Sequence, residues 1–149
     1  MTDIVVVSSA GGVLLDVLAL RPWFASRVVR WVAEPAVDTR AELAGESVTW
    51  ASEERGAAAV LRETFRARRK LRRWRPQVLV SAGTAVAVPW FIAARLVGIP
   101  SVWVETWNLV GSHQGIASRI CAQMARAVIV QRPERLALHR SAILAGELY

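Results

Sequence analysis

A chain of 149 residues suits one folded domain with room for a core, and 54% hydrophobic against 21% charged residues excludes a disordered polypeptide. A net charge of +7 directs attention to anionic partners: nucleic acid, anionic lipid or a phosphorylated substrate. One cysteine, Cys121, excludes an internal disulfide and a cysteine-metal cluster; with His113 and His139 far apart, neither a metal nor another cofactor is expected.

The longest apolar runs are interrupted or ended by Asp16 and Arg95, so none reaches the roughly 18 uncharged residues of a bilayer span. A strand-like Ile-Val-Val-Val follows Asp3 directly, where a leader would carry basic residues. The expectation is a protein kept in the cytosol, whose surplus apolar surface goes to a core, a partner or a membrane face.

In chain order, DIVVVSS reads as a buried strand, because β-branched residues run through it without interruption. AGG (10–12) breaks it, and VLLDVLALRPWF reads as one helix ended near Pro22. VVRWVAE and SVTWAS are a second and a third strand. Over 57–74, small or apolar residues at 57, 60, 64, 67, 71 and 74 make one face of a helix. PQVLVSAG is a fourth strand closed by Gly83. The next helix is entered around Pro89 and stopped by Gly98. PSVWVE is a fifth strand, GIASRICAQMA a helix that buries Cys121, RAVIVQ a sixth strand and PERLAL a short helix. AILAGELY is a last strand or tail. Strands that are apolar throughout and alternate with helices form a parallel sheet covered on both faces, an α/β Rossmann-like fold in a single domain, 1–149.

Ligands of such sheets sit beyond the carboxyl ends of the strands, so the loops after them carry the candidate chemistry. SSAGG, with Gly11 and Gly12, is either a tight turn or a phosphate contact at a helix N-terminus. It is neither GxGxxG nor a P-loop, and no acidic ribose ligand is well placed after the second strand, which disfavours a complete nucleotide-binding enzyme. Gly83 and Thr84 repeat the device after the fourth strand, where Thr84 is a candidate helix cap. Glu105 closes the fifth strand beside Thr106, Trp107 and Asn108. A carboxylate there is a solvated strand end, a ligand for sugar hydroxyls, or a base.

The segment 62–75 holds eight basic residues in fourteen, with Arg62, Arg66, Arg69 and Arg73 in one stripe. Cations on one face with Trp74 and leucine on another suit an anionic membrane surface better than nucleic acid. Trp23, Phe24 and Trp31 among Arg21, Arg27 and Arg30 repeat that mix. The rival reading is a basic nucleic-acid-binding α/β module.

RPQVLVSAGTAVAVPWFIAARLVGIPSVWVETW (75–107) closely resembles a family signature: Arg-Pro-Asp, a hydrophobic strand, Ser-Thr-Gly-Ala-Gly, an apolar helix, Gly-Ile, a second strand and Glu-Ser. AVIVQRPERLALHRSAILAGELY resembles the tail of the same family. The family is the acceptor-side subunit of split GT-B glycosyltransferases, which includes the membrane-recruiting subunit of the eukaryotic dolichol-linked N-acetylglucosamine transferase and bacterial exopolysaccharide relatives.

The resemblance implies the N-terminal half of a GT-B enzyme, inactive without a donor-binding subunit as heterodimer partner. It implies sugar transfer from a UDP-sugar to a polyprenyl-diphosphate-linked saccharide at the cytosolic membrane face. Glu105 would contact or activate the acceptor. Gly11, Gly12, Gly83 and Thr84 would face its diphosphate, with Asp16 and Asn108 among the substrate ligands. Arg62, Arg66, Arg69, Arg73, Trp74 and Trp23 would hold the membrane, and the final AGELY would dock on the partner. The chain departs from the family in three places. Val13 follows Gly11-Gly12 where a histidine is usual, with Asp16 in the acidic position; Gly83-Thr84-Ala85 replaces Gly-Ala-Gly; and the arginine that follows the family's Glu-Ser is missing after Glu105.

Overall fold

A computed structural model describes residues 2–105 and 115–145. Seven strands, Ile4–Ser8 (β1), Val29–Ala33 (β2), Val48–Trp50 (β3), Val78–Ser81 (β4), Ser101–Val104 (β5), Ala127–Val130 (β6) and Ala142–Leu144 (β7), form one sheet in the order β3-β2-β1-β4-β5-β6-β7. Every pairing is parallel. From β1 the chain winds outward to β3, then returns to β4 on the other side. The strand order therefore reverses between β1 and β4, the position at which such sheets bind ligands. This is the expected Rossmann-like α/β sheet, and the segment left open as strand or tail is a strand as far as Leu144.

The helices are Gly12–Leu18 (α1), Arg21–Phe24 (α2), Val37–Glu42 (α3), Ala57–Trp74 (α4), Val88–Val97 (α5) and Ile116–Met124 (α6), with a 3₁₀ turn at Pro133–Leu138. Successive strand residues point to opposite faces of a sheet, and this divides the core in two. Val5, Val7, Val32, Leu79, Trp103 and Val128 pack under α4, α5 and α6. Ile4, Val6, Trp31, Val80 and Val104 pack under α1, α2 and the end of α3. Among the described residues, no helix is long and apolar enough to cross a membrane.

The helix expected over 13–24 is two. Pro22 does not stop it but stands in the first turn of α2, where a missing N–H costs nothing. α3 was not foreseen, because its six residues show no apolar period and it buries only Thr39. On α4 the buried side is Ala59, Glu63, Thr64, Ala67 and Leu71, while Val60 is 36% exposed. A carboxylate reaches the core there because Glu63 accepts a hydrogen bond from the indole of buried Trp90 at 3.3 Å and pairs with Arg66 at 3.3 Å. The tryptophans divide likewise. Trp31, Trp90 and Trp103 are at most 2% exposed and are core, whereas Trp23 is 52% exposed.

Candidate functional site

β1 and β4 are neighbours, so their following loops meet at the carboxyl edge of the sheet. The Ser81 hydroxyl ties them: it donates to the Val7 carbonyl at 2.6 Å and accepts the Gly83 N–H at 3.0 Å. A methyl group on Gly83 would lie 2.7 Å from Val13 Cγ1 and 3.5 Å from Ser9 Oγ. The glycine is therefore demanded by the close approach of the first loop. Thr84 is exposed and does not cap α5, whose N-cap is Ala87; its carbonyl accepts the Ala87 N–H at 3.0 Å.

The first loop directs backbone N–H groups to carboxylates. Gly11 has φ 75°, a conformation that side chains disfavour, and Gly12 opens α1. The Gly11 N–H donates to Asp38 Oδ2 at 2.7 Å and the Ala10 N–H donates to Glu34 Oε2 at 3.2 Å. The Gly11 N–H is also the chief cause holding the Asp38 carboxyl below its ordinary range. Successive backbone N–H groups aimed at carboxylates are the geometry that receives phosphate oxygens. Neither Glu34 nor Asp38 was identified from sequence. Glu34 directly follows β2, where an acidic residue was judged missing; the acid is there, but engaged by the first loop. The available signal was the pair of carboxylates in the segment joining the second and third strands.

Glu105 is not a solvated strand end. It is 5% exposed, Arg135 Nε donates to its Oε1, and His139 Nε2 lies 3.0 Å from its Oε2. Its carbonyl accepts from Gln131 Nε2 at 2.9 Å, and the His139 ring stands edge-on to Trp103 with centroids 5.9 Å apart. The carboxylate thus fastens the 3₁₀ turn and its exit to the end of β5. Arg135 and His139 were missed because the pairing spans 30 and 34 residues. Asp16 is buried in α1. Asn108 and the end of the AGELY segment lie outside the described residues.

α4 does gather Arg62, Arg66, Arg69 and Arg73 with Trp74. Arg62 pairs with Glu54, and Trp74 stacks on Trp90 at 5.9 Å between centroids. Leu61 and Phe65 lie exposed beside the stripe, at 58% and 61%. Trp23 is not on this face: α2 packs on the opposite side of the sheet, through Phe24.

No protein-family model matches the chain. Over 70 residues it is 43% identical to a UDP-N-acetylglucosamine–N-acetylmuramyl-(pentapeptide) pyrophosphoryl-undecaprenol N-acetylglucosamine transferase of Xylella fastidiosa. The match takes in 47% of this chain and 18% of that protein, so the matched segment spans less than a fifth of this curated relative. Among solved structures, MurG of Acinetobacter baumannii superposes with TM-score 0.78 at 22% identity, covering 97% of this chain and 45% of the other. UDP-N-acetylglucosamine 2-epimerase of Rickettsia bellii superposes with TM-score 0.78 at 11% identity, covering 99% and 45%. These likenesses establish the fold, which matches slightly less than half of each of these longer chains.

Proposed function

We propose that the chain is the acceptor-side half of a GT-B glycosyltransferase, completed by a donor-binding subunit that brings the UDP-sugar. The acceptor is a polyprenyl-diphosphate-linked saccharide, and the complex works at the cytosolic membrane face. The observation that carries this reading is a superposition over almost the whole chain on less than half of MurG, with 43% identity over 70 residues to a transferase whose name includes a pyrophosphoryl-undecaprenol acceptor.

The first loop supports a diphosphate ligand there: the Ala10 and Gly11 N–H groups already bind carboxylates, Gly12 opens α1, and Thr84 stands exposed on the adjoining loop. Gly83 serves by letting the two loops close. Asp16 and Asn108 are assigned to the acceptor by resemblance alone. In transfer, the acceptor hydroxyl gives up its proton to a base as its oxygen bonds to the anomeric carbon and UDP leaves. Glu105 is this chain's candidate base or hydroxyl ligand, and to take a proton it must exchange its contact with Arg135 or His139.

The arginine stripe of α4, with Leu61 and Phe65 exposed beside it, supports the reading that this side of the helix faces the membrane. The test is coexpression with candidate donor-binding chains, followed by assay of UDP-sugar transfer to a polyprenyl-diphosphate saccharide. Activity that needs both chains is the expected result. Full activity from this chain alone, or none with any donor-binding chain, overturns the reading.

A further inference from the structure

A second charged site lies at the opposite end of the sheet from these loops. Thr2 precedes β1, Arg30 is the second residue of β2, and Lys70, Arg73 and Trp74 end α4. Together with Arg66 and Arg69 they line a cavity of about 740 Å³. Five cationic side chains converge there. Only Arg66 has a carboxylate partner, Glu63 at 3.3 Å; among the described residues no acidic group pairs with Arg30, Arg69, Lys70 or Arg73.

The cations are held in position. Arg30 Nε donates to Thr2 Oγ1 at 2.9 Å and its Nη1 to Ser47 Oγ at 3.2 Å, both neutral acceptors. The Arg30 guanidinium lies 5.2 Å and the Lys70 ammonium 5.1 Å from the centroid of the same ring, Trp74. That ring is braced against Trp90, which is fully buried. Partial burial, then the charge of Arg66, with Arg30 and Arg73 adding to it, push the Lys70 ammonium below its ordinary range against the opposing pull of Glu63.

Like charges gathered into a concave site are stabilised by an anion carrying several charges, and guanidinium forks match phosphate oxygens in shape. A cavity of this size with Trp74 as one wall has room for a phosphate-bearing headgroup, whereas a nucleic acid strand would extend along the row Arg62, Arg66, Arg69 and Arg73 and bind more tightly with length. We infer that this cavity is a receptor for a phosphate or diphosphate group bearing two or more negative charges, free or on a lipid headgroup, and separate from the acceptor cradle. It shares α4 with the membrane reading but does not depend on it.

The experiment is calorimetric titration of the full chain with inorganic pyrophosphate, with chloride at equal ionic strength as reference. Saturable binding is expected. The double substitution Arg69→Gln with Lys70→Gln should weaken it about tenfold. Arg62→Gln with Arg72→Gln, which removes equal charge outside the cavity, should change it less than about twofold. Thermal melts establish that both variants fold.

Flotation on vesicles of phosphatidic acid and of phosphatidylglycerol at matched surface charge separates the sources. Preference for phosphatidic acid, competed by pyrophosphate, identifies a headgroup; pyrophosphate binding without that preference identifies a free phosphate. Equal losses in the two double variants, no pyrophosphate binding, or stronger length-dependent binding of an oligonucleotide overturns the proposal. If every vesicle is ignored while pyrophosphate still binds in the cavity, the membrane reading fails and this one stands. If the parent floats with anionic vesicles, both double variants float less well and pyrophosphate does not bind, the reverse holds.

Discussion

The Gly11 N–H donates to Asp38 Oδ2 at 2.7 Å, so a carboxylate from α3 occupies the cradle made by the first glycine loop. A diphosphate seated there competes with Asp38 for the same donor. Asp38→Ala should therefore tighten binding of a polyprenyl-diphosphate saccharide analogue on the order of fivefold, the net value of one ordinary hydrogen bond. Unchanged or weaker binding in a titration would remove this loop from the acceptor site.

The same contact has a pH signature. The Gly11 N–H favours the charged carboxyl and lowers its pKa in the folded chain. Stability from that preference is fully present above the ordinary aspartate value of 3.8 and is lost as pH falls through the lower folded value. The stability difference between the parent and Asp38→Asn should be flat above about pH 5 and should shrink below about pH 3.5, measured by urea unfolding across pH.

Glu105 lets a catalytic role be distinguished from an anchoring one. Its two partners are largely buried, with side-chain exposures of 16% for Arg135 and 9% for His139. Glu105→Ala leaves both without their carboxylate and should cost about 3 kcal/mol in chemical denaturation. Glu105→Gln keeps an acceptor and should cost less. If Glu105 is the base, Glu105→Gln in the reconstituted complex should lower kcat by about 10²- to 10⁴-fold with the fold intact. An anchoring residue would instead lose activity only in proportion to the folded fraction.

How legible the molecule was from its sequence depended on the range of the forces involved. β1 and α5 were plain because their signals are local: an uninterrupted β-branched run, and an apolar stretch closed by Gly98 in the left-handed conformation. The parallel sheet followed from alternating strands and helices, but its order and the reversal between β1 and β4 did not, because nothing local fixes which strands pair. Glu105 was found because it ends a strand, but its partners Arg135 and His139 were not, since nothing in a local pattern ties residues 30 or more positions apart. Glu34 and Asp38 stayed hidden for a different reason: α3 has no apolar period, so its segment read as a featureless connection. Trp31 was grouped with surface indoles because composition does not distinguish a buried ring from a wet one; inside the core, Glu63 provides the Trp90 indole with its partner.

Gly83 and Val13 provide a test of how the two loops meet. Gly83→Ala puts a methyl 2.7 Å from Val13 Cγ1 and should destabilise by about 1–3 kcal/mol. Val13→Ala in the same chain removes the obstructing methyl and should recover most of that loss. A double-mutant cycle on urea midpoints measures it; additive effects would mean that the loops do not touch.

Cys121 lies in the core beneath α6 with its thiol pKa pushed by burial from an ordinary 9.0 up to about 12. A folded thiol of that kind should resist a disulfide reagent at pH 8 and react only on unfolding. Between those two values the unfolded chain loses a proton that the folded chain keeps. Stability should therefore fall as pH rises above 9, by up to about 1.4 kcal/mol per pH unit from this group. Reagent kinetics and alkaline denaturation read the two effects separately.

The membrane reading assigns the two kinds of α4 side chain different salt dependences. Arg62, Arg69 and Arg73 contribute through screened charge, each about 1 kcal/mol at an anionic surface. Leu61 and Phe65 are exposed apolar groups whose contribution comes from leaving water and persists in salt. Phe65→Ser should lower vesicle affinity about fivefold at both low and high salt and leave stability within about 0.5 kcal/mol. Arg73→Gln should weaken binding at low salt and lose that effect near 1 M salt. Trp23 packs with α2 on the other side of the sheet, so Trp23→Ser should leave vesicle affinity unchanged. A loss matching that of Phe65→Ser would mean that the bilayer meets the end of the sheet, where both layers are exposed, instead of the outer face of α4.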